Sequence, residues 1–396
     1  MPRVLYISTA LTNNESNYLN ETLKRGACLN GGMPQSANKF HRLFAEGLIN
    51  NNFIVDCVSG RNVSYKTHSK LFYKKHTEKI SKINYMFPAA INLPIIKQIL
   101  NSFLIKNYCN KWLRKIKNKD DFVIIDASYV SVLPLVVKKI NKKCKVVAIF
   151  ADIYNYMADL GKKDKESIKI VRKIVEKAYS QIDGYIFLTE DMNSKINKYN
   201  KPYIVIEGIV DDTLPKVSVN KDLKDVLMYA GSLQKRFGLE DLINSYMKYN
   251  NNNSELWIYG DGDYRKNIES AALKDKRIKY FGNVGNEEII AKEQTATFLI
   301  NPRNPSYNFT KYSFPSKNME YMLSGTPMIG YKLPSIPEEY NDYIIYIEDN
   351  ILDTIEICFR NKNKLSIIGK NAQKFVLNFK NKNIQAKKII DFVNKI

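Results

Sequence analysis

Short apolar runs alternate with amphipathic stretches along the whole chain. The first series of runs predicts strands at 4–8, 53–58, 122–126, 145–150, 184–188 and 203–206. A second series predicts strands at 226–230, 255–259, 278–281, 297–300, 327–330 and 343–345. Helical patterns fall between them. Leu239, Leu242, Ile243 and Tyr246, for example, recur at i, i+3, i+4, i+7, the spacing of one helix face. Strands that alternate with helices imply parallel sheets covered by helices on both faces. Two such series imply an α/β protein of two doubly wound domains, and a length of 396 residues is too great for one typical core. The pattern breaks near 210–224, where Asp211, Asp212, Pro215 and Asp222 interrupt it. The expected domains are therefore 1–212 and 213–380, with a last helix in 381–396.

Open parallel sheets bind ligands just outside the carboxyl ends of their strands. The segment 312–329, YSFPSKNMEYMLSGTPMI, holds a turn, a helix start and a buried strand. Pro315 suits a first helical position, where its missing N–H costs nothing. Free N–H groups from Ser316 onward would then attract phosphate, with Lys317 beside them as a cation. Glu320 lies one turn inside, as an acceptor for a ribose hydroxyl, and Gly325 suits the helix C-cap. Donors for a pyrophosphate beside an acceptor for ribose are what a nucleoside diphosphate requires.

Other post-strand loops carry compatible chemistry. Gly231, Ser232, Lys235 and Arg236 follow the first strand of the second series, in YAGSLQKRFGL. A Gly-Ser turn, two cations and a helix start suit a diphosphate site, with a solvated Lys-Arg pair at a helix start as the plain alternative; cations at that helix end oppose the dipole, so they lack a structural reason. Gly260 and Gly262 lie in the turn YGDGD, which is not a dinucleotide fingerprint. Arg303, in NPR, would point toward the same site as Lys317. In the first domain Gly31 and Gly32 follow strand one, and glycine lets a backbone approach a ligand closely. Asp152 in AIFADIY and Glu207 also follow strands, each as a general base or as a cap. His41 lies on a predicted helix, as an ordinary partly buried histidine. No Ser-His-Asp grouping, P-loop or metal cluster is readable.

Composition narrows the setting. Five scattered cysteines without CxxC spacing argue against a disulfide framework or a zinc site, and for a reducing cytoplasm. No signal peptide is readable, and the most apolar stretch, 87–105, is broken by Pro88, Pro94, Lys97 and Gln98. The formal net charge is +21, and residues 61–119 hold 14 Lys and Arg against one acid, Glu78. Lys70, Lys74, Lys75 and Lys79 lie there among aromatics. Such a mixture suits an anionic membrane surface, with nucleic acid as a weaker rival and a generally lysine-rich chain as the plain alternative.

YAGSLQKRFGLEDLI, WIYGDGDYRKNI, RIKYFGNVGNEEI, INPR and FPSKNMEYMLSGTPMI occur in this order. Together they resemble the GT4 family of retaining glycosyltransferases. The resemblance covers almost all of 226–330 and is looser before 210. It implies the GT-B fold: two Rossmann-like domains facing a cleft, the second holding the nucleotide sugar, and a C-terminal helix that crosses back to the first domain. Glu320 matches the second glutamate of the family's EX7E motif, which contacts the donor ribose. Ser316 and Lys317 match a PSK variant of that loop, Lys235 and Arg236 fall near the basic pair for the diphosphate, and Gly32 matches the N-terminal glycine-rich loop. The first EX7E glutamate is replaced by Tyr312, the arginine after the turn glycine by Ser232, and a common histidine by Ala151.

The expected activity is sugar transfer with retention, from a nucleotide sugar, UDP-linked, to a glycan or lipid-linked acceptor in bacterial surface polysaccharide synthesis. No cofactor or metal is expected, because cations and helix-end N–H groups stabilise the leaving diphosphate. Catalytic candidates are Asp152, Lys317 and Glu320. Diphosphate candidates are Gly32, Gly231, Ser232, Lys235, Arg236, Arg303, Ser316 and Lys317, and Gly260, Gly262 and Glu320 are assigned to ribose and base. The expected location is cytoplasmic, at the inner face of the plasma membrane. The alternatives are a nucleotide-sugar 2-epimerase of the same architecture and a basic nucleic-acid-binding protein.

Overall fold

The structure, a computed structural model, describes residues 1–24, 35–61, 63–93, 96–127, 137, 140, 143–151, 153, 175–213 and 224–396. The chain divides into two compact units. One comprises Met1–Ile209 and Lys382–Ile396, the other Val210–Asn381.

The first unit holds strands β1 (Arg3–Ser8), β2 (Ile54–Ser59), β3 (Phe72–Tyr73), β4 (His76–Ile80), β5 (Ile83–Phe87), β6 (Ala90–Ile91), β7 (Phe122–Asp126), β8 (Lys145–Phe150), β9 (Gly184–Phe187) and β10 (Tyr203–Val205). Eight of them form one sheet in the order β10-β9-β8-β7-β1-β2-β5-β4, and β3 and β6 pair separately. All neighbours in the large sheet are parallel except β4 against β5. The central strands read as continuous apolar runs because both faces are covered: Val4–Ile7, Val123–Ile125 and Val146–Ile149 are fully buried. β4, HTEKI, is the exposed polar edge, which resists pairing with another chain. Strands β3 to β6 escape the sequence reading, because β3 and β6 are two residues long and β5 lies inside the lysine-rich segment.

Helices α1 (Asn13–Glu21), α2 (Gln35–Asn50), α3 (Ile96–Leu113) and α4 (Asp191–Ile196) belong to this unit. So does the last helix of the chain, Lys382–Lys395, which packs on α2 and buries Ala386, Ile389, Ile390 and Val393 in the core of β1 and β2. Gln385 Nε2 donates to Gly208 O at 2.7 Å and Lys382 pairs with Glu46 at 3.2 Å. The expected return of the C-terminal helix to the first domain is thus a feature of the fold.

The second unit holds β11 (Asp225–Ala230), β12 (Ser254–Tyr259), β13 (Ile278–Gly282), β14 (Phe298–Asn301), β15 (Met328–Gly330) and β16 (Ile345–Tyr346). They form a fully parallel sheet in the order β13-β12-β11-β14-β15-β16. Its helices are α5 (Leu239–Lys248), α6 (Arg265–Lys274), α7 (Asn286–Thr295), α8 (Ser316–Ser324), α9 (Ile351–Arg360) and α10 (Lys362–Phe379), and Lys382–Lys395 is α11. Leu239, Leu242, Ile243 and Tyr246 form the buried face of α5, as their spacing predicts. Chain order runs outward from β11 to β13 on one side and from β14 to β16 on the other. The winding therefore reverses between β11 and β14, the point at which such sheets take ligands.

Candidate functional site

Two loops leave the sheet at this reversal, one after Ala230 and one after Asn301, and helix α8 spans both. Its Tyr321 is fully buried. The Tyr321 hydroxyl accepts from the Ala230 N–H (2.9 Å) and donates to the Ala230 carbonyl (3.1 Å). Asn301 Nδ2 donates to Asn318 Oδ1 at 2.7 Å. The helix is thus fixed to both strand ends by its own side chains. Pro315 lies one residue outside the helix, as its cap with ψ 94°, rather than at the first helical position. The Asn318 N–H donates to the Pro315 carbonyl at 2.8 Å, so the turn begins from that carbonyl. Gly325 closes the helix in the left-handed conformation, φ 80°.

Two glycines set the loops. At Gly260, φ is 128°, and a Cβ there would lie 1.8 Å from the Gly231 carbonyl oxygen. At Gly238, φ is 81°, and a Cβ would lie 2.0 Å from the Pro302 carbonyl oxygen. The first contact seats the Gly231 turn on the loop after β12. The second seats the start of α5 on the loop after β14. Gly262 lies against the backbone of Leu233. Gly260 and Gly262 thus pack on the backbone of residues 231–233, the loop that carries Ser232, which is exposed.

The four candidate cations of the second unit, Lys235, Arg236, Arg303 and Lys317, separate into three environments. Arg236 and Arg303 share a pair of rings: the Arg236 guanidinium carbon lies 5.4 Å from Phe237 and 5.1 Å from Phe309, that of Arg303 4.7 Å and 5.5 Å. Two guanidiniums from different loops thereby meet at the reversal point, half-buried against aromatic faces. Lys235 turns away to Glu240, Nζ to Oε2 3.0 Å, with both side chains largely exposed. The sequence offers no structural reason for Lys235, and this exposed pair is one. It also raises the Lys235 pKa, first through the Glu240 hydrogen bond.

Lys317 forms the third environment. Its Nζ lies 2.5 Å from Glu320 Oε2 and 3.8 Å from Glu293 Oε1. Burial opposes the charge on Lys317, but Glu320 and Glu293 outweigh it and raise the pKa. Burial also pushes Tyr229 up to about 12, while the positive charges of Arg303 and Lys317 pull the other way. Tyr229 therefore marks where these two cations approach the end of β11. Its hydroxyl donates to the Ser232 carbonyl at 2.8 Å. Ser316 is exposed at the start of α8. Glu293 is a site residue that sequence reasoning misses. It sits on α7 beside the exposed Glu287 and Glu288, yet is 1% exposed, and Ile290, three residues earlier, is the buried neighbour that marks its face.

In the first unit, Asp152 and Gly32 lie outside the described residues. Glu207 follows β10 and is buried. His41 is fully buried rather than partly: its Nε2 lies 3.1 Å from Asp126 Oδ2, and its Nδ1 bonds the Tyr6 hydroxyl. Lys70, Lys74, Lys75 and Lys79 are all exposed on the β3–β4 side of the unit. Exposed apolar residues accompany them: Leu71, Phe72 and Ile80, then Leu93, and along α3 Ile96, Ile99 and Phe103. The last three follow i, i+3, i+7, opposite the buried face of Ile105, Cys109 and Trp112. Among the described residues, no helix is long and apolar enough to cross a membrane, and no three His, Cys, Asp or Glu side chains gather as a metal site.

Residues 224–376 match the family described as Glycosyl transferases group 1. No curated protein matches the chain by sequence. Solved structures match it over its whole length. Sucrose-phosphate synthase from Thermosynechococcus elongatus is 13% identical with a TM-score of 0.69, covering 100% of this chain and 99% of that one. HepE from Anabaena in complex with UDP is 11% identical with a TM-score of 0.64, covering 100% of both chains. A UDP-forming trehalose-phosphate synthase from Burkholderia xenovorans is 10% identical with a TM-score of 0.66, covering 100% and 99%. At these identities the likeness is one of fold.

Proposed function

We propose that the chain is a glycosyltransferase, a reading supported by its GT-B fold and by the Glycosyl transferases group 1 match over residues 224–376, and that it transfers a sugar from a UDP-linked donor with retention of configuration. The observation that carries the donor reading is the meeting of Arg236 and Arg303 on Phe237 and Phe309, at the point where the strand order reverses. The barrier to transfer is departure of the nucleoside diphosphate as negative charge grows on it. Fixed guanidiniums and the N–H groups at the start of α8 stabilise that charge with little reorganisation. Ser316 and the Gly231–Ser232 turn supply further donors, and Glu320 accepts from the ribose. The neighbour HepE was solved with UDP, which favours uridine as the base. Asp152, two residues after β8 in the sequence, remains the first unit's candidate general base.

The acceptor is a glycan or lipid-linked hydroxyl, and the setting is bacterial surface polysaccharide synthesis at the membrane. The support is the exposure, in residues 70–103 of the first unit, of Lys70, Lys74, Lys75 and Lys79 together with Phe72, Ile99 and Phe103. Lysines together with exposed apolar side chains suit an anionic bilayer, each cation near the surface being worth about 1 kcal/mol.

Thermal unfolding with UDP, GDP and ADP tests the donor reading. A ligand at 100 times its dissociation constant adds about 2.7 kcal/mol of stability. UDP is expected to raise the transition most, and no shift with any of the three sinks the reading. Sedimentation with anionic vesicles tests the membrane surface. Binding is expected to fall with salt and on neutralising the four lysines. Binding indifferent to both would remove it.

A further inference from the structure

Lys317 lies at the expected phosphate end of α8, yet two carboxylates surround its ammonium. Glu320 reaches it from its own helix at 2.5 Å and Glu293 from α7 at 3.8 Å. The titratable groups that act on it are Glu320 on α8, Glu293 on α7 and Tyr229 on β11. Glu293 is the anchor of this set, because its side chain is 2% exposed and its helix end is tied down: Thr326 Oγ1 donates to the Glu293 carbonyl at 2.7 Å. Glu320 is the looser member, with 22% of its side chain exposed.

A buried carboxylate is costly unless paired, so Glu293 requires Lys317 in place. Lys317 in turn makes a short charge-assisted bond to Glu320. A lysine so held is poorly placed to act as a mobile phosphate cation, and Arg236 and Arg303 stand where that role is needed. We propose that Glu293 and Lys317 are positioning residues. Glu293 fixes the ammonium, the ammonium fixes the carboxylate of Glu320, and Glu320 reads the ribose hydroxyls of the donor. The inference rests on the nucleotide-sugar reading above and assigns Lys317 to recognition of the sugar of the nucleoside rather than to its phosphates.

The test compares binding of UDP with binding of 2′,3′-dideoxy-UDP, which keeps both phosphates and lacks the hydroxyls. The wild-type chain is expected to prefer UDP by about 10- to 100-fold, the range for a hydrogen bond to a charged group. Glu293→Gln and Lys317→Met should each bring that preference below about 3-fold while leaving dideoxy-UDP affinity nearly unchanged. Lys317→Met alone strands a buried carboxylate and endangers folding, so the double variant Glu293→Gln/Lys317→Met, which removes both charges, is measured beside it. Lys317→Arg, which keeps the charge, should restore part of the preference. If the variants weaken both probes equally, Lys317 is a phosphate cation and the positioning inference falls while the donor reading stands. If the variants keep the wild-type preference, the inference falls as well. If the wild-type chain binds UDP without preferring it, Glu320 does not read ribose, and if it does not bind UDP, the donor reading itself fails.

Discussion

The two sheets are wound alike and differ in what they place at the point of reversal. In the first unit the order turns between β1 and β7, and in the second between β11 and β14. The polar groups at the first are turned inward. Tyr6, His41 and Asp126 are each at most 1% exposed and bond one another, and Thr9 donates to Asp126 at 3.4 Å. At the second, the inward bonds of Tyr321 and Asn318 hold the helix, while Arg236, Arg303, Lys317 and Glu320 stay partly exposed. Topology fixes where a ligand can sit, and the chemistry at that place depends on which side chains the strand ends commit to the interior.

The largest expected break of this contrast is at Gly260. Gly260→Ala places a Cβ at φ 128° and 1.8 Å from the Gly231 carbonyl. The strain and overlap should together cost the second unit about 3 kcal/mol in chemical unfolding, with loss of UDP binding. A stability within error of wild type would mean that the seat of the Gly231 turn is soft.

Next comes Asp126→Ala. It takes a partner from His41, which is 1% exposed, and leaving a buried polar group unsatisfied costs about 2 kcal/mol. UDP affinity should be unchanged, since the network belongs to the first unit. A fall in UDP affinity of more than about 3-fold, set against the roughly tenfold step of 1.4 kcal/mol, would show that the first unit's network supports the donor site and end the contrast.

The sequence exposes much of this frame. Runs such as Val123–Ile125 and the spacing of Leu239, Leu242, Ile243 and Tyr246 carry their burial in their pattern. Strand β5 is hidden because Asn84 bonds Asp56 and the flanking residues are lysine-rich, so the run looks interfacial. Arg303 is legible because it follows a strand, and Ser316 and Lys317 because they open a helix behind Pro315. Glu293 and the Tyr6–His41–Asp126 set are not, since each depends on side chains distant in sequence meeting inside the core. The pairing of Lys235 with Glu240 is local, at i, i+5 across a 3-10 turn, and a helical i, i+4 template passes over it.

The smallest effect divides two adjacent cations. Lys235 and Arg236 look equivalent in sequence, but the first pairs with Glu240 in solvent and the second lies against Phe309 beside Arg303. Arg236→Ala removes a guanidinium placed by two rings near the expected diphosphate, and a charged hydrogen bond of this kind is worth about 1.5–3 kcal/mol. UDP should then bind at least about 10-fold more weakly. Lys235→Ala removes an exposed, salt-screened charge and should change UDP affinity by less than about 3-fold, a difference that shrinks further as salt is raised. Titration calorimetry of both variants at two salt concentrations decides the matter. Equal losses would put Lys235 in the diphosphate site after all. The aromatic pair would then be a packing feature of the loop, and the contrast between the two points of reversal would rest on Arg303 and Glu320.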